Sequence, residues 1–172
     1  MRTWQRRTIG LLAICGSTLV IASSPRMLAN AQGPVFAITL LALAFYVFGL
    51  FCGVSLLEGT PRSVQMNKIF WGLQIPVLKT PYLGYALASG AYWQVYAEFS
   101  PFGVATQWYL GTDYLLHLNK PGTRWVVGVN LVAVAILLLF GGAFSRVSSN
   151  NSLKPTAADV PRSPNPPGSA AA

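Results

Sequence analysis

Residues 35–57 contain no charged side chain. An α-helix rises about 1.5 Å per residue, so this run makes a helix of roughly 35 Å, enough to cross a hydrocarbon core of about 30 Å with some tilt. Such a run needs either lipid or a large protein core around it. Composition argues for lipid. The 172-residue chain is 53% hydrophobic and 9% charged, whereas a soluble domain carries about a quarter charged residues. The net charge of +8 comes from 12 Lys and Arg against 4 Asp and Glu. These basic residues sit at the edges of apolar runs and form no basic helix or stripe. The charge therefore points to a membrane surface and not to nucleic acid.

Three further runs read as spans. Residues 8–24 follow Arg2, Arg6 and Arg7 and read as a first helix. A cleaved signal peptide is the rival reading, with Ala29-Asn30-Ala31 as its A-x-A site, and Pro25 and Arg26 stand against it. Residues 63–80 read as the third helix, with Gln65, Asn67 and Lys68 in its inner turn and Lys79 at the outer surface. Gln74 and Pro76 then fall in its outer half, where Pro76 kinks it. Running this helix on to residue 92 would bury the Lys79 cation at a cost of at least about 2.5–3.5 kcal/mol. Residues 125–145 read as the fourth helix, with Asn130 its main polar member.

Between the third and fourth helices the pattern changes to strict alternation. In residues 92–99, Tyr92, Gln94, Tyr96 and Glu98 share one side, and Trp93, Val95, Ala97 and Phe99 the other. Ser100-Pro101-Phe102-Gly103 reads as a turn, and the alternation resumes to residue 118, with a bulge or bend at Gly111. Period two held this long predicts strands, and residues 82–87 offer an earlier one. The expectation is a small antiparallel β-meander over residues 82–118, outside the membrane. It would bury Trp93, Val95, Val104, Trp108 and Leu110 and turn Gln94, Glu98, Gln107 and Asp113 to water.

The predicted fold is thus a mainly α membrane protein of four transmembrane helices with this meander between helices 3 and 4. Residues 1–145 form a single membrane domain. Residues 146–172, rich in Ser, Pro, Ala and Asn, form a disordered tail. With the N-terminus inside, Arg2, Arg6, Arg7, Arg62, Lys68, Arg146, Lys154 and Arg162 lie on the cytoplasmic side. Arg26, Lys120, Arg124 and Lys79 lie outside or at the outer boundary, which satisfies the positive-inside rule.

Two sets of residues stand out within the spans. Ala42, Gly49 and Gly53 share a helix face, and Gly49 to Gly53 is a G-x-x-x-G that lets two backbones approach closely. The partner is a second copy or, as read here, another helix of the same chain. Asn130 would hydrogen-bond across to a neighbouring helix or sit satisfied near the boundary. Gln74 and Lys79 are the functional candidates.

Reactive chemistry is sparse. His117 is the only histidine, and Cys15 and Cys52 lie in different runs. A zinc site needs three or four ligands. Asp113 and His117, four residues apart on one strand face, are about 13 Å apart. No phosphate-binding glycine loop occurs. The sequence therefore predicts no catalytic, metal or cofactor site and argues against an enzyme. The layout resembles that of claudin-type cell-contact proteins. However, the β segment precedes the fourth span and not the second, and that family's Trp and Cys signature is missing, so no function is carried over.

The expectation is a small multi-pass protein of a bacterial cytoplasmic (inner) membrane. It would act through the lipid bilayer, a membrane protein partner or its own copies, as a scaffold, accessory subunit or envelope factor. A permeation or carrier subunit, using a broken third helix around Gln74, Pro76 and Lys79, is the alternative.

Overall fold

The computed structural model describes residues 2–99, 101–118, 122 and 124–151. Two long antiparallel helices form its spine: α1 (Thr3–Asn30) and α2 (Pro34–Glu58). On α1, Ile9, Ala13, Gly16, Val20 and Ser24 repeat every three or four residues and are buried, as one helix face requires. The matching face of α2 carries Thr39, Ala42, Tyr46, Gly49, Gly53 and Leu56. Helix α1 outruns its expected end at residue 24 and passes through Pro25. A proline leaves the carbonyl four residues earlier without its usual N–H partner. Here that carbonyl belongs to Ile21, and Ser24 Oγ donates to it at 2.6 Å, so the helix continues to Asn30.

The third expected span is corrected. Helix α3 (Ser63–Gly72) has 10 residues, not the eighteen of residues 63–80. After Gly72 the chain turns, and Pro76 opens a strand, β1 (Pro76–Lys79). Proline disfavours helical geometry in the residue before it, and Ile75 and Val77 are β-branched, which favours extended backbone. Pro76 therefore starts a strand and does not kink a helix. The fourth expected span is corrected in the same way. Its first part, Val126, Val127, Gly128, Val129 and Asn130, is strand β6 (Val126–Asn130), and helix α4 follows as Leu131–Asn151. Among the described residues, α1 and α2 alone are long and apolar enough to cross a membrane. Helix α4 also passes residue 146, where the tail was expected to begin. The rest of that tail lies outside the described residues.

The sheet has six strands, ordered β4-β3-β6-β1-β2-β5 and antiparallel throughout. The other strands are β2 (Leu83–Ala88), β3 (Ala91–Phe99), β4 (Phe102–Leu110) and β5 (Asp113–Leu118). This is not a meander. Phe99 faces Phe102 and Ala91 faces Leu110, while Ala88 faces Asp113 and Leu83 faces Leu118. One register therefore runs through all four of these strands. They are a single long hairpin, and Gly111 N donates to Gly90 O at 3.0 Å across the point where it bends. Strands β1 and β6 pair with each other and fill the angle, β1 along β2 and β6 along β3. Passing from β2 to β3 through these neighbours reverses direction three times, so the hairpin folds back on itself at the bend.

The molecule consequently has two layers along the α1–α2 spine. One end is a helical layer, where Ile9, Ala13, Cys52, Leu56, Phe70, Trp71, Ala133, Ile136 and Phe140 pack from all four helices. At the other end the sheet lies beside the second half of α1 and the first half of α2. The expected sidedness of β3 is also corrected. Tyr92 and Gln94 are its buried residues and Trp93 is exposed, as are Val104, Trp108 and Leu110 of β4. Helix α4 packs against β3, and Val132 at its start lines a crevice with Trp93, Thr106 and Trp108.

Candidate functional site

The two layers meet at a junction where α3 stops, α4 starts and the hairpin bends. Gly16 of α1 touches the bend so closely that an added Cβ would lie 2.2 Å from Gly90 N and 2.3 Å from Ser89 Oγ. Gly90 has φ of 78°, and its own added Cβ would lie 2.5 Å from Leu12 O, so both the backbone angle and the space require glycine. Thr112 Oγ1 donates to Gly16 O at 2.8 Å. From α2, the Tyr46 hydroxyl points between Ala88 O at 3.1 Å and Asp113 O at 3.0 Å. Those carbonyls belong to facing residues just short of the bend. The bend is thus held between both long helices.

Several polar side chains near it are buried. Ser17 follows Gly16 and lies beside Gly49 and Phe70. Gln74 Nε2 donates to Phe70 O at 3.3 Å, and Asn130 N donates to Ile75 O at 2.9 Å. Asn130 Oδ1 accepts from Val132 N and from Trp93 N, each at 3.2 Å. The first of these bonds caps α4 in the usual N-cap manner; the second ties the helix start to β3. Ser17 Oγ, Trp71 Nε1, Gln74 Oε1, Ser89 Oγ and Asn130 Nδ2 are buried without a hydrogen-bond partner among the described residues. An unpaired buried polar group costs about 1–3 kcal/mol, so these neutral hydroxyls, amides and indole are a local cost to stability.

The six residues singled out by sequence fall in four places. Gly49 and Gly53 lie against α1: an added Cβ at Gly53 would be 2.8 Å from Gly10 O and 2.7 Å from Ile14, and one at Gly49 would be 2.5 Å from Ser17 Oγ. Ala42 faces the sheet and lines an apolar crevice of about 360 Å³ with Phe45, Tyr85, Leu87 and Leu116. Gln74 and Asn130 are fully buried at the junction. Lys79 is elsewhere. It ends β1 opposite Gly84 and Val126, and its ammonium lies 5.7 Å from the centre of the Tyr96 ring, a cation–π contact. Gln74, Pro76 and Lys79 are therefore not on a broken third helix.

Sequence reasoning missed Gly16, Tyr46, Trp71 and Ser89. The Ser89-Gly90 pair is a turn signal that could have located the bend; nothing local marks Tyr46 or Gly16. The titratable residues stay apart. Glu98 pairs with Arg124 at 3.5 Å, and His117 lies over Gly84 on β2. No group of three His, Cys, Asp or Glu comes together among the described residues. No family model, curated protein or solved structure matches this chain.

Proposed function

We propose that this chain is a multi-pass protein of a bacterial cytoplasmic membrane that works through contacts, as a scaffold, accessory subunit or envelope factor. In this reading α1 and α2 are the spans and the N- and C-termini are cytoplasmic. The observation that carries the reading is the surface of α2. The helix packs on α1 and α3, yet Val35, Phe36, Leu40, Leu41, Val47, Phe51 and Val54 are all exposed. An apolar surface of this extent on a helix without charge from residue 35 to 57 is unfavourable in water and natural in lipid.

Charge supports the orientation. Arg6 lies against Gly59 and donates to Leu57 O at 3.4 Å, so Arg2, Arg6, Arg7 and Arg62 gather at one end of the spine. Arg26 is at the other end, the expected outer side. The test is a pair of reporter fusions, one in the α1–α2 connection at residue 32 and one at the C-terminus, with an alkaline carbonate wash of the membranes. Opposite sides and retention in the pellet are expected. Release of the chain by carbonate would overturn the membrane reading, and the same side for both fusions would overturn the topology.

A second reading, a permeation or carrier subunit, draws on Gln74, which is fully buried with an unpaired Oε1 where α3 breaks off. Its test is chain-dependent dye leakage from proteoliposomes, with loss of the leak in Gln74→Leu.

A further inference from the structure

We infer that the free edge of β4 pairs with β4 of a second copy, antiparallel about a twofold axis through Thr106, so that two sheets become one. This rests on the membrane reading above, and the argument begins with depth. Tyr46, which holds the bend, is the midpoint of the uncharged run of residues 35–57. The sheet therefore starts near mid-span and rises beside the outer half of α1 and α2. At that level an unpaired backbone group costs several kcal/mol, and open sheet edges do not face lipid. Of the two edges, β5 is covered, since α2 packs on it and Tyr114 reaches Met27 of α1. Strand β4 is bare.

The hydrogen-bond alternation shows what β4 offers. Gly111 bonds to Gly90 within the hairpin, and Phe99 N donates away from it to Trp125 O. In an antiparallel ladder bonded and unbonded pairs alternate. It follows that Phe102, Val104, Thr106, Trp108 and Leu110 direct their N–H and C=O groups outward. The bulky members of this set are also the exposed ones: Phe102 75%, Val104 69%, Trp108 74% and Leu110 69%.

Natural sheets protect long edges with lysine, proline, bulges or a covering element. Strand β4 has no charge, no proline and nine residues. A partner recognised through charge would find nothing to hold. A second copy finds a matching strand. With Thr106 facing Thr106, Val104 faces Trp108 and Phe102 faces Leu110. Every outward backbone group is then paired, the Val104–Trp108 and Phe102–Leu110 pairs are apolar, Thr106 meets its own hydroxyl-bearing copy, and no like charges meet although each chain carries +8. The G-x-x-x-G of α2 is already occupied by α1 and is not open to a second copy.

The test is cysteine cross-linking of the full chain in native membranes, on a Cys15→Ser background that removes the exposed thiol. Bonded facing residues have Cα atoms about 5.5 Å apart, within disulfide reach. Thr106→Cys should form a disulfide dimer on mild oxidation. Phe102→Cys alone should not, because it faces Leu110, but co-expressed Phe102→Cys and Leu110→Cys copies should. Val104→Lys, a change at an exposed position, should abolish the Thr106→Cys cross-link. A membrane-integrated chain that runs as a monomer in mild detergent and gives no cross-link at 106 would overturn the inference while leaving the membrane reading intact. So would equal cross-linking at 102 and 106, or a different protein bound to β4 in place of the second copy. Carbonate release of the chain would instead overturn the membrane reading, and with it the depth argument.

Discussion

Replacing Gly16 by alanine adds one methyl group and tests the contact that joins the two layers. The added carbon would lie 2.2 Å from Gly90 N and 2.7 Å from Ser89 C. Both are backbone atoms, and Gly90 also lies against Leu12 O, one turn earlier on the same helix, so neither can turn aside as a side-chain tip would. The bend or α1 must shift by about an ångström. Forcing a methyl group into a packed interior costs about 1–3 kcal/mol. The shift also breaks the Thr112 bond to Gly16 O, worth about 0.5–1.5 kcal/mol. The expected loss is about 2–4 kcal/mol. On the scale of soluble domains of this size that is a fall in Tm on the order of 5–15 °C. Gly103→Ala is the control. Its added Cβ would meet nothing within 4 Å, and open surface changes usually stay within about 0.5 kcal/mol. The assay is thermal unfolding of both purified variants in one mild detergent. Equal melting of Gly16→Ala, Gly103→Ala and the parent chain would refute the contact between α1 and the bend.

Tyr46→Phe keeps the ring and removes the hydroxyl that reaches Ala88 O and Asp113 O. It should cost about 1–3 kcal/mol, and hydrogen exchange should accelerate first in residues 84–90 and 111–117. Gly53→Leu drives a side chain into Gly10 O and Ile14 and should lower Tm at least as much as Gly16→Ala; an unchanged Tm would mean that this face meets lipid. Asn130→Ala removes the α4 cap and should cost about 0.5–2 kcal/mol, with partial recovery in Asn130→Ser, which can still cap. Equal loss in both Asn130 variants would show that capping is not its role.

The helical spine and the presence of strands were legible in the sequence because each rests on a local period. The unbroken uncharged run is α2, and the alternation from Tyr92 onward marks β3 and β4. Three features were not legible, each for a physical reason. A short apolar run has the same hydropathy whether it is helix or buried strand, so Val126–Asn130 read as the start of a span. Its valines and Gly128 were the contrary signal. The bend at Gly90 and Gly111 pairs residues in one register through two arms, and no local pattern reports that two more strands, β1 and β6, will fill the angle. Sidedness failed because alternation defines two faces but leaves the choice of the buried one to tertiary contacts. That choice buries Gln94, a polar residue, in preference to a tryptophan. Of the candidate site, Gln74 and Asn130 were found because polar residues stand out in apolar runs. Gly16 and Tyr46 were not, since each is ordinary within its helix and acquires its role only through the contact.

The lengths of the shorter helices constrain how such a chain enters a membrane. Helix α3, with 10 residues, makes about 15 Å, half of a hydrocarbon core. The uncharged part of α4 runs from Leu131 to Ser145, before Arg146, and makes about 22 Å, still short of that core. Neither can cross alone, and each would end at mid-depth with open backbone groups unless the sheet and the long helices were already there to receive it. The α1–α2 pair has no such dependence, because its two faces complete each other. Insertion should therefore begin with residues 1–60, and the remainder should dock onto that pair. Expressed separately, a fragment of residues 1–60 should stay with the membrane after an alkaline carbonate wash, whereas a fragment of residues 61–172 should be released. Supplying both fragments together should return the second to the pellet, and Gly16→Ala in the first should weaken that recovery. If the second fragment resists the wash alone, residues 125–145 cross the membrane as one continuous helix, as their hydropathy allows, and the pairing of β6 between β1 and β3 would be wrong.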